Sequence, residues 1–250
     1  MFTPNHFIWL FISIAIIIGL FLLVKHARLS EKTVITILFC VCVASELVKT
    51  FSNMEEGYKG GMHLDPGDLP FHLCSIQIFL VFALKFLIKR QETKEKMLGF
   101  MSPSMLLGGV MALFIPTVGT SFDKLQVYQY FIFHATIVFF ALYVVAQKKV
   151  RWTVKCWVRN LGYLGILAML VTWVNSILSI GGDWQANFMY LSRPPMENLP
   201  ILNLDNGWHA YFFSLAAIAV VLVTLFHAIT YFVFERKRNN VSAQEMHDNA

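Results

Sequence analysis

The chain is predicted to be an all-α, polytopic membrane helix bundle of seven transmembrane helices, N-terminus outside and C-terminus inside. Three observations predict it. The 250 residues are 57% hydrophobic and only 14% charged, a balance that would leave a soluble domain covered in apolar patches. Seven apolar runs are long enough to cross a hydrocarbon core of about 30 Å as helices. Basic residues gather after every second run, and positively charged loops stay cytoplasmic.

The runs are residues 7–24, 33–52, 72–88, 97–116, 126–147, 159–180 and 208–234. Lys25, Arg28 and Lys32 follow the first, and Lys89, Arg90, Lys94 and Lys96 the third. Lys148, Lys149, Arg151, Lys155 and Arg159 follow the fifth, and Arg236, Lys237 and Arg238 the seventh. The other loops hold only Lys59, Lys124 and Arg193. Such alternation requires an odd number of crossings. Residues 1–234 thus form one transmembrane domain and residues 235–250 a short polar cytoplasmic tail. The first run lacks a basic leader and a small-residue cleavage site, so it reads as a span and not as a signal peptide. The formal net charge of +5 reflects topology and affinity for anionic headgroups, and no nucleic-acid partner is expected. The predicted outer loops contain no Asn-x-Ser/Thr acceptor, which points to a bacterial plasma membrane.

Polar residues inside the spans identify the candidate site, because hydrocarbon tolerates few of them. At 1.5 Å per residue, Glu46 lies about 9 Å below the outer end of its span and Cys74 about 6 Å. His134 lies about 12 Å down and Asn175 about 7 Å. This convergence at one depth suits an outward-facing pocket. Bland roles compete: Glu46 has Lys49 one turn on and reads equally as half of an ion pair, and Asn175 reads as a bond to a neighbouring helix.

Asp68-Leu69-Pro70-Phe71-His72-Leu73-Cys74 opens the third run. Pro70 suits a first helical turn, with Asp68 or Leu69 as cap. Cys74 would follow one turn inside, near the positive helix end, where a thiol gains reactivity. On a helix His72 and Cys74 would point about 200° apart, so the base for Cys74 must come from another span. His134 is the deep histidine available. The rival reading is that Cys74 is a small inert hydrophobe.

The four cysteines are scattered and form no CxxC pair, so neither a disulfide framework nor a zinc site is predicted. His63, Asp65 and Asp68, with Glu55 and Glu56 nearby, form an acidic cluster, but the spacing matches no metal motif. No metal and no cofactor are assigned. The connection 181–207 is long for so compact a chain. Its Trp184, Phe188, Met189, Tyr190 and Leu199 are too apolar for a solvated tether, and Pro194, Pro195 and Pro200 stiffen it. It should fold over the outer mouth as a lid.

Leu-Pro-Phe-His-Leu-Cys-Ser-Ile at the start of the third run resembles the signature of the YwaF-type bacterial integral membrane proteins. Phe133-His134 fits the same pattern, as does the stretch Asn187-Phe188-Met189-Tyr190-Leu191-Ser192-Arg193-Pro194-Pro195. The resemblance runs from the second span to the seventh. It departs at Phe188, where many relatives would carry tyrosine. The family's eukaryotic relatives include a phospholipid acyltransferase that uses a membrane cysteine and histidine, and more distant androgen-induced relatives are lipid hydrolases with a threonine nucleophile. The resemblance implies that Cys74 matches the acyl-accepting cysteine and His134 its partner.

The leading expectation is therefore an acyltransferase or acyl hydrolase acting on a membrane phospholipid or lysophospholipid that enters sideways from the bilayer. Cys74 would attack the ester and His134 would carry the proton. His72, Gln77 or Asn175 would donate to the oxyanion, Glu46 and Asn187 would contact substrate, and Tyr190 and Arg193 would hold the headgroup phosphate. One alternative is a transporter or ligand-binding membrane protein, with Pro103 and Gly108-Gly109 bending the fourth span. Another is an assembly partner with an inert Cys74.

Overall fold

The computed structural model describes residues 3–53, 55–56, 62–63, 66–180, 185–196, 199 and 201–235. Helix α1 spans Pro4–His26, with Pro4 in its first turn and the Thr3 hydroxyl accepting from the His6 amide, the arrangement that satisfies a helix start. Helix α2 spans Glu31–Asn53, and a two-residue antiparallel ladder then pairs Glu55 with His63 and Glu56 with Met62. Helix α3 covers Gln77–Phe82 and continues as a π-helical turn, Ala83–Leu87. Helix α4 is Gln91–Phe114, α5 Leu125–Ala146, α6 Val154–Leu178 and α7 Gly207–Thr230, the last ending in a π-helical turn, Tyr231–Glu235. Among the described residues, six helices are long and apolar enough to cross a membrane.

The exception is the third segment. Its helix was expected to begin near Pro70, but residues 71–76 form successive turns and regular helix starts only at Gln77. From Gln77 to Leu87 the helix rises about 16 Å, roughly half a hydrocarbon core. Polar ties nevertheless show that this segment runs the length of the bundle. At one end Glu31 binds Lys94 at 2.5 Å and Lys149 at 2.7 Å. At the other, the Asn53 amide donates to Asp68 at 2.6 Å and accepts from Gln126 at 2.7 Å. The chain between Asp68 and Lys94 therefore passes from the Asn53 end to the Glu31 end.

Helix α5 is the central mast, buried along most of its length from Val127 to Val144 and packed by α1, α2 and α4. Its closest neighbour is α4, whose Ser102 hydroxyl donates to the Ala141 carbonyl at 2.9 Å. Gly109 makes this approach possible. A Cβ there would lie 2.6 Å from Val138 Cγ2 and 3.2 Å from the His134 carbonyl oxygen. Helix α4 is continuous past Pro103, and Gly109 serves close packing against α5.

Helices α6 and α7 are stitched to this body at both ends. At the Asn53 end, Val171, Ala186, Phe188 and Leu191 make their own apolar cluster with Phe71, Ile76 and Phe212. At the Glu31 end, Asn160 Nδ2 donates to the Gly99 carbonyl at 2.6 Å and to His227 Nε2 at 3.2 Å, and Trp157 donates to Thr224 at 3.0 Å. A cavity lies between the stitches.

The glycine contacts give a test. Gly109→Ala overpacks the α4–α5 seam and is expected to destabilise the protein by about 1–3 kcal/mol. Gly162→Ala, where a Cβ meets nothing within 4 Å, should leave stability unchanged or slightly raised. Thermal unfolding of the two variants in one detergent reads the difference.

Candidate functional site

The cavity encloses about 480 Å³, within the range of small-molecule sites. Its wall at the Asn53 end is polar. Ser45, Glu46, Lys49 and Asn53 come from α2, Asp68 from the turn that follows, and Gln126 and Gln129 from α5. Glu46 and Lys49 form an ion pair at 2.5 Å, and Gln129 donates to the Ser45 hydroxyl at 2.5 Å. Towards the other end the lining becomes apolar, with Leu161, Leu164, Ala219 and Leu222 from α6 and α7.

His72, Cys74 and His134 all line this cavity. Cys74 is partly buried and sits in the irregular stretch before α3, not one turn inside a helix. The geometric reason given from sequence for separating His72 from Cys74 therefore does not hold, since neither residue is on a regular helix. The stretch packs on α4 at Gly108, where a Cβ would make ordinary contact, 3.7 Å from the Cys74 amide nitrogen and 3.9 Å from its Cβ.

The hydrogen bonds of the two histidines fix different tautomers. His134 Nδ1 lies 2.7 Å from the Tyr130 carbonyl oxygen one turn back. A carbonyl only accepts, so Nδ1 carries the proton and Nε2 the lone pair. That Nε2 is buried and has no partner, and the residue is 3% exposed. His72 is the reverse. The Met189 amide donates to His72 Nδ1 at 3.3 Å, so in the neutral ring Nε2 is the donor. One cavity thus holds an imidazole acceptor and an imidazole donor beside a thiol. Tyr130, whose hydroxyl donates to the Ala112 carbonyl at 3.1 Å, and Tyr190 add phenols to the same lining, with Thr117.

Residues 186–191 are held in place almost atom by atom. Asn175 donates to the Phe188 carbonyl at 3.1 Å and accepts from its amide at 2.9 Å. The Tyr211 hydroxyl donates to the Tyr190 carbonyl, and Trp208 Nε1 to that of Leu191 at 3.0 Å. Met189 and Tyr190 both have φ of 55°, a left-handed conformation that costs a residue with a side chain about 1–3 kcal/mol. The surrounding bonds hold that strain, which turns Met189, Tyr190 and Leu191 into cavity wall. The connection therefore folds back over the cavity as expected of a lid, although Trp184 and Pro200 lie outside the described residues.

Several sequence-chosen residues serve other ends. Gln77 Nε2 donates to the Leu73 carbonyl at 3.1 Å and to Ser104 at 3.0 Å, so both its protons are committed to fastening the turn that carries Cys74. Asn175 clamps Phe188, and neither residue is part of the lining. Asn187 accepts from the Ser192 and Arg193 amides, each at 3.1 Å, and donates to the Arg193 carbonyl at 3.0 Å. It shapes the loop and does not face the cavity. Arg193 is exposed and outside the lining, while Lys49 is on it. Asp65 and the side chains of His63, Glu55 and Glu56 lie outside the described residues. Among the described residues no group of acidic, histidine and cysteine side chains is arranged to hold a metal ion.

Tyr130, Thr117, Gln126 and Gln129 were not singled out from sequence. Tyr130 and Gln126 repeat at the helical period that also carries His134, which was the available signal. Thr117 lies in a connection and gave none.

Fold and site together define a polytopic, all-helical membrane protein whose helices enclose a cavity that is polar at one end and apolar at the other. A family model covers residues 1–227, and the chain belongs to the TMEM164 family. No curated protein and no solved structure matches it.

Asn175 offers the sharpest structural test. Asn175→Ala leaves the buried Phe188 amide without a partner, at about 1–3 kcal/mol, and its carbonyl with only the 3.4 Å bond from the Leu191 amide. The variant is expected to unfold at lower temperature and to become protease-sensitive within residues 185–196. Asn187→Ala, near the surface, should do less. Equal effects would mean that the clamp does not hold the loop.

Proposed function

We propose that the protein is an integral membrane lipid acyltransferase or acyl hydrolase that forms a thioester on Cys74. The observation that carries this reading is that His134, whose buried Nε2 has no hydrogen-bond partner, lines the same cavity as Cys74. In the proposed reaction His134 takes the thiol proton as Sγ attacks the carbonyl carbon of a lipid ester. The tetrahedral oxyanion accepts from His72 Nε2–H. As it collapses the carbon–oxygen bond breaks, and the proton passes from His134 to the leaving lipid oxygen. A lysolipid hydroxyl or water then attacks the thioester. His134 removes the acceptor's proton and returns it to the departing sulfur.

The polar wall supports a phospholipid or lysophospholipid as substrate. Lys49 offers a cation to the phosphate in place of the exposed Arg193, with Tyr190 and Glu46 beside it. Kinship with the YwaF-type proteins and their Cys/His acyltransferase relatives is part of the same proposal.

The reading also orients the chain. The Asn53 end is outside and the Glu31 end inside, because the basic residues gather at the latter. The irregular stretch 69–76 and α3 together complete a seventh crossing. A bacterial plasma membrane is in keeping with outer loops that lack glycosylation acceptors. Impermeant thiol reagents on intact cells should label an engineered cysteine at Asn203 but not one at Gln91. The opposite pattern would invert the proposed orientation.

The chemistry is tested by intact-protein mass spectrometry after incubation with phospholipid vesicles. An acyl adduct removable by hydroxylamine is expected on Cys74 and absent in Cys74→Ser. His134→Ala should slow its formation by about 10²–10⁴-fold and His72→Ala by about 10²–10³-fold. An adduct that survives Cys74→Ser, or rates untouched by His134→Ala, would refute the assignment.

A further inference from the structure

The apolar arm of the cavity is deeper than the chemistry at Cys74 requires, and it is open on one side. Its lowest lining residues are Leu161 of α6 and Leu222 of α7. Leu222 lies about 22 Å along α7 from Gly207, deeper than one leaflet of about 15 Å. Beyond these residues α6 and α7 are joined by the Asn160–His227 and Trp157–Thr224 hydrogen bonds, a polar tie at the end of the apolar arm. The side is not closed. Gly165, Ala216, Val220 and Leu222 line the cavity and are exposed, and they sit beside Ile166 and Val221, which are 58% and 55% accessible without lining it, so cavity and outer surface meet along this seam.

A residue that faces both an internal cavity and the bilayer marks an opening between them. Gly165 sits on the α6 side of this opening, and a Cβ there meets nothing within 4 Å. Hydrocarbon is the medium outside and an apolar wall lies inside, so a lipid tail crosses without losing its apolar surroundings. A headgroup that stays at the polar end, beside Lys49 and Asp68, fixes the direction in which the tail lies. His134, whose buried Nε2 has no hydrogen-bond partner, lines the same cavity above the tail.

We propose that the gap between α6 and α7 is a portal through which one long acyl chain of a membrane glycerophospholipid slides into the cavity, and that Gly165 is the specificity-determining residue that keeps it open. The inference deepens the acyl-transfer reading and rests on it for the identity of the substrate. The tail lies along Leu164, Leu161 and Leu222 with its ester near Cys74. Depth to the polar tie favours long chains over short ones.

The test uses the full-length protein in nanodiscs with a phosphatidylcholine probe that carries a mid-chain diazirine. Lipids around the bundle cannot reach Phe133 and His134, which are 6% and 3% exposed. Crosslinks to those two residues therefore report a tail inside the cavity. The wild type is expected to give them. Gly165→Phe should remove most of them, because its ring fills the gap through which the tail enters. Ile166→Phe, which presents its bulk to the bilayer, should not. Val220→Trp narrows the portal from α7 and should repeat the loss if Gly165→Phe unfolds. The proposal is overturned by wild-type protein without interior crosslinks, by portal variants equal to wild type, or by labelling with a free fatty acid probe alone. Cys74→Ser should keep its interior crosslinks while losing the acyl adduct. A protein that never forms an adduct yet shows portal-dependent crosslinks would refute the chemistry and leave the tail site standing.

Discussion

Within a bilayer every backbone amide and carbonyl must find a partner inside the protein, and the rest of this structure depends on how that demand is met where helices stop. An unpartnered group in hydrocarbon costs several kcal/mol. Two stretches of irregular backbone, residues 71–76 and 186–191, flank the cavity. Side chains supply what the missing helical bonds would have supplied: Asn175 serves both polar groups of Phe188, His72 the amide of Met189, and Gln77 the carbonyl of Leu73. The two stretches also serve each other, since His72 of the first holds the amide of the second. Continuous helices along both stretches could pack together and leave no room. The cavity follows from interrupting them, and the polar side chains around it follow from the interruption.

The same demand sorts the histidines. His6 gives its Nε2 to the Leu113 carbonyl at 2.8 Å, and His227 meets Val223 through Nδ1 and Asn160 through Nε2. Both are satisfied and hold helices together. His134 has the same one-turn bond through Nδ1 as His227, yet nothing faces its second nitrogen. Burial and depth do not distinguish these residues. The difference lies in what faces Nε2, a partner in His6 and His227 and none in His134, a residue of the cavity lining.

This explains how much could be read from sequence. The six long helices were legible because each carries an uninterrupted apolar run of sufficient length, and the order of polar residues along them gave depth. Depth placed Cys74 and His134 in the outer half of the bundle, and the structure puts both on one cavity together with His72, which the helical geometry had set apart. Direction around a helix axis is set by neighbours distant in sequence, and there the reading failed. Gln77 and Asn175 are also buried and polar, but they bond Ser104 and the Phe188 backbone and do not line the cavity as His134 does. Lys49 looked like the partner of Glu46 and is that, but it is also on the cavity, whereas Arg193 is not. The delayed start of α3 was hidden for the same reason. Pro70 marks a favourable helix start locally, and only the tie from Gln77 to α4 makes an unwound stretch tolerable in its place.

The division of the bundle carries a further consequence. Helices α1 to α5 share continuous apolar packing around the central mast, while α6 and α7 are attached by an apolar cluster at one end and by Cys156, Phe226 and a few buried hydrogen bonds at the other. Between those attachments the cavity removes side-chain contacts that would otherwise join them to the body. Segments with few apolar contacts open at lower free energy than the core, so movement of α6 and α7 relative to α1–α5 is the least costly rearrangement this architecture allows. The two stitches limit that movement differently. The Asn160–Gly99–His227 contacts are short polar bonds in a buried setting, which break abruptly when lengthened. The cluster around Phe188 is apolar and yields gradually. Opening is thus favoured at the end where the strained loop, Lys49 and His72 already meet, while the polar tie stays closed.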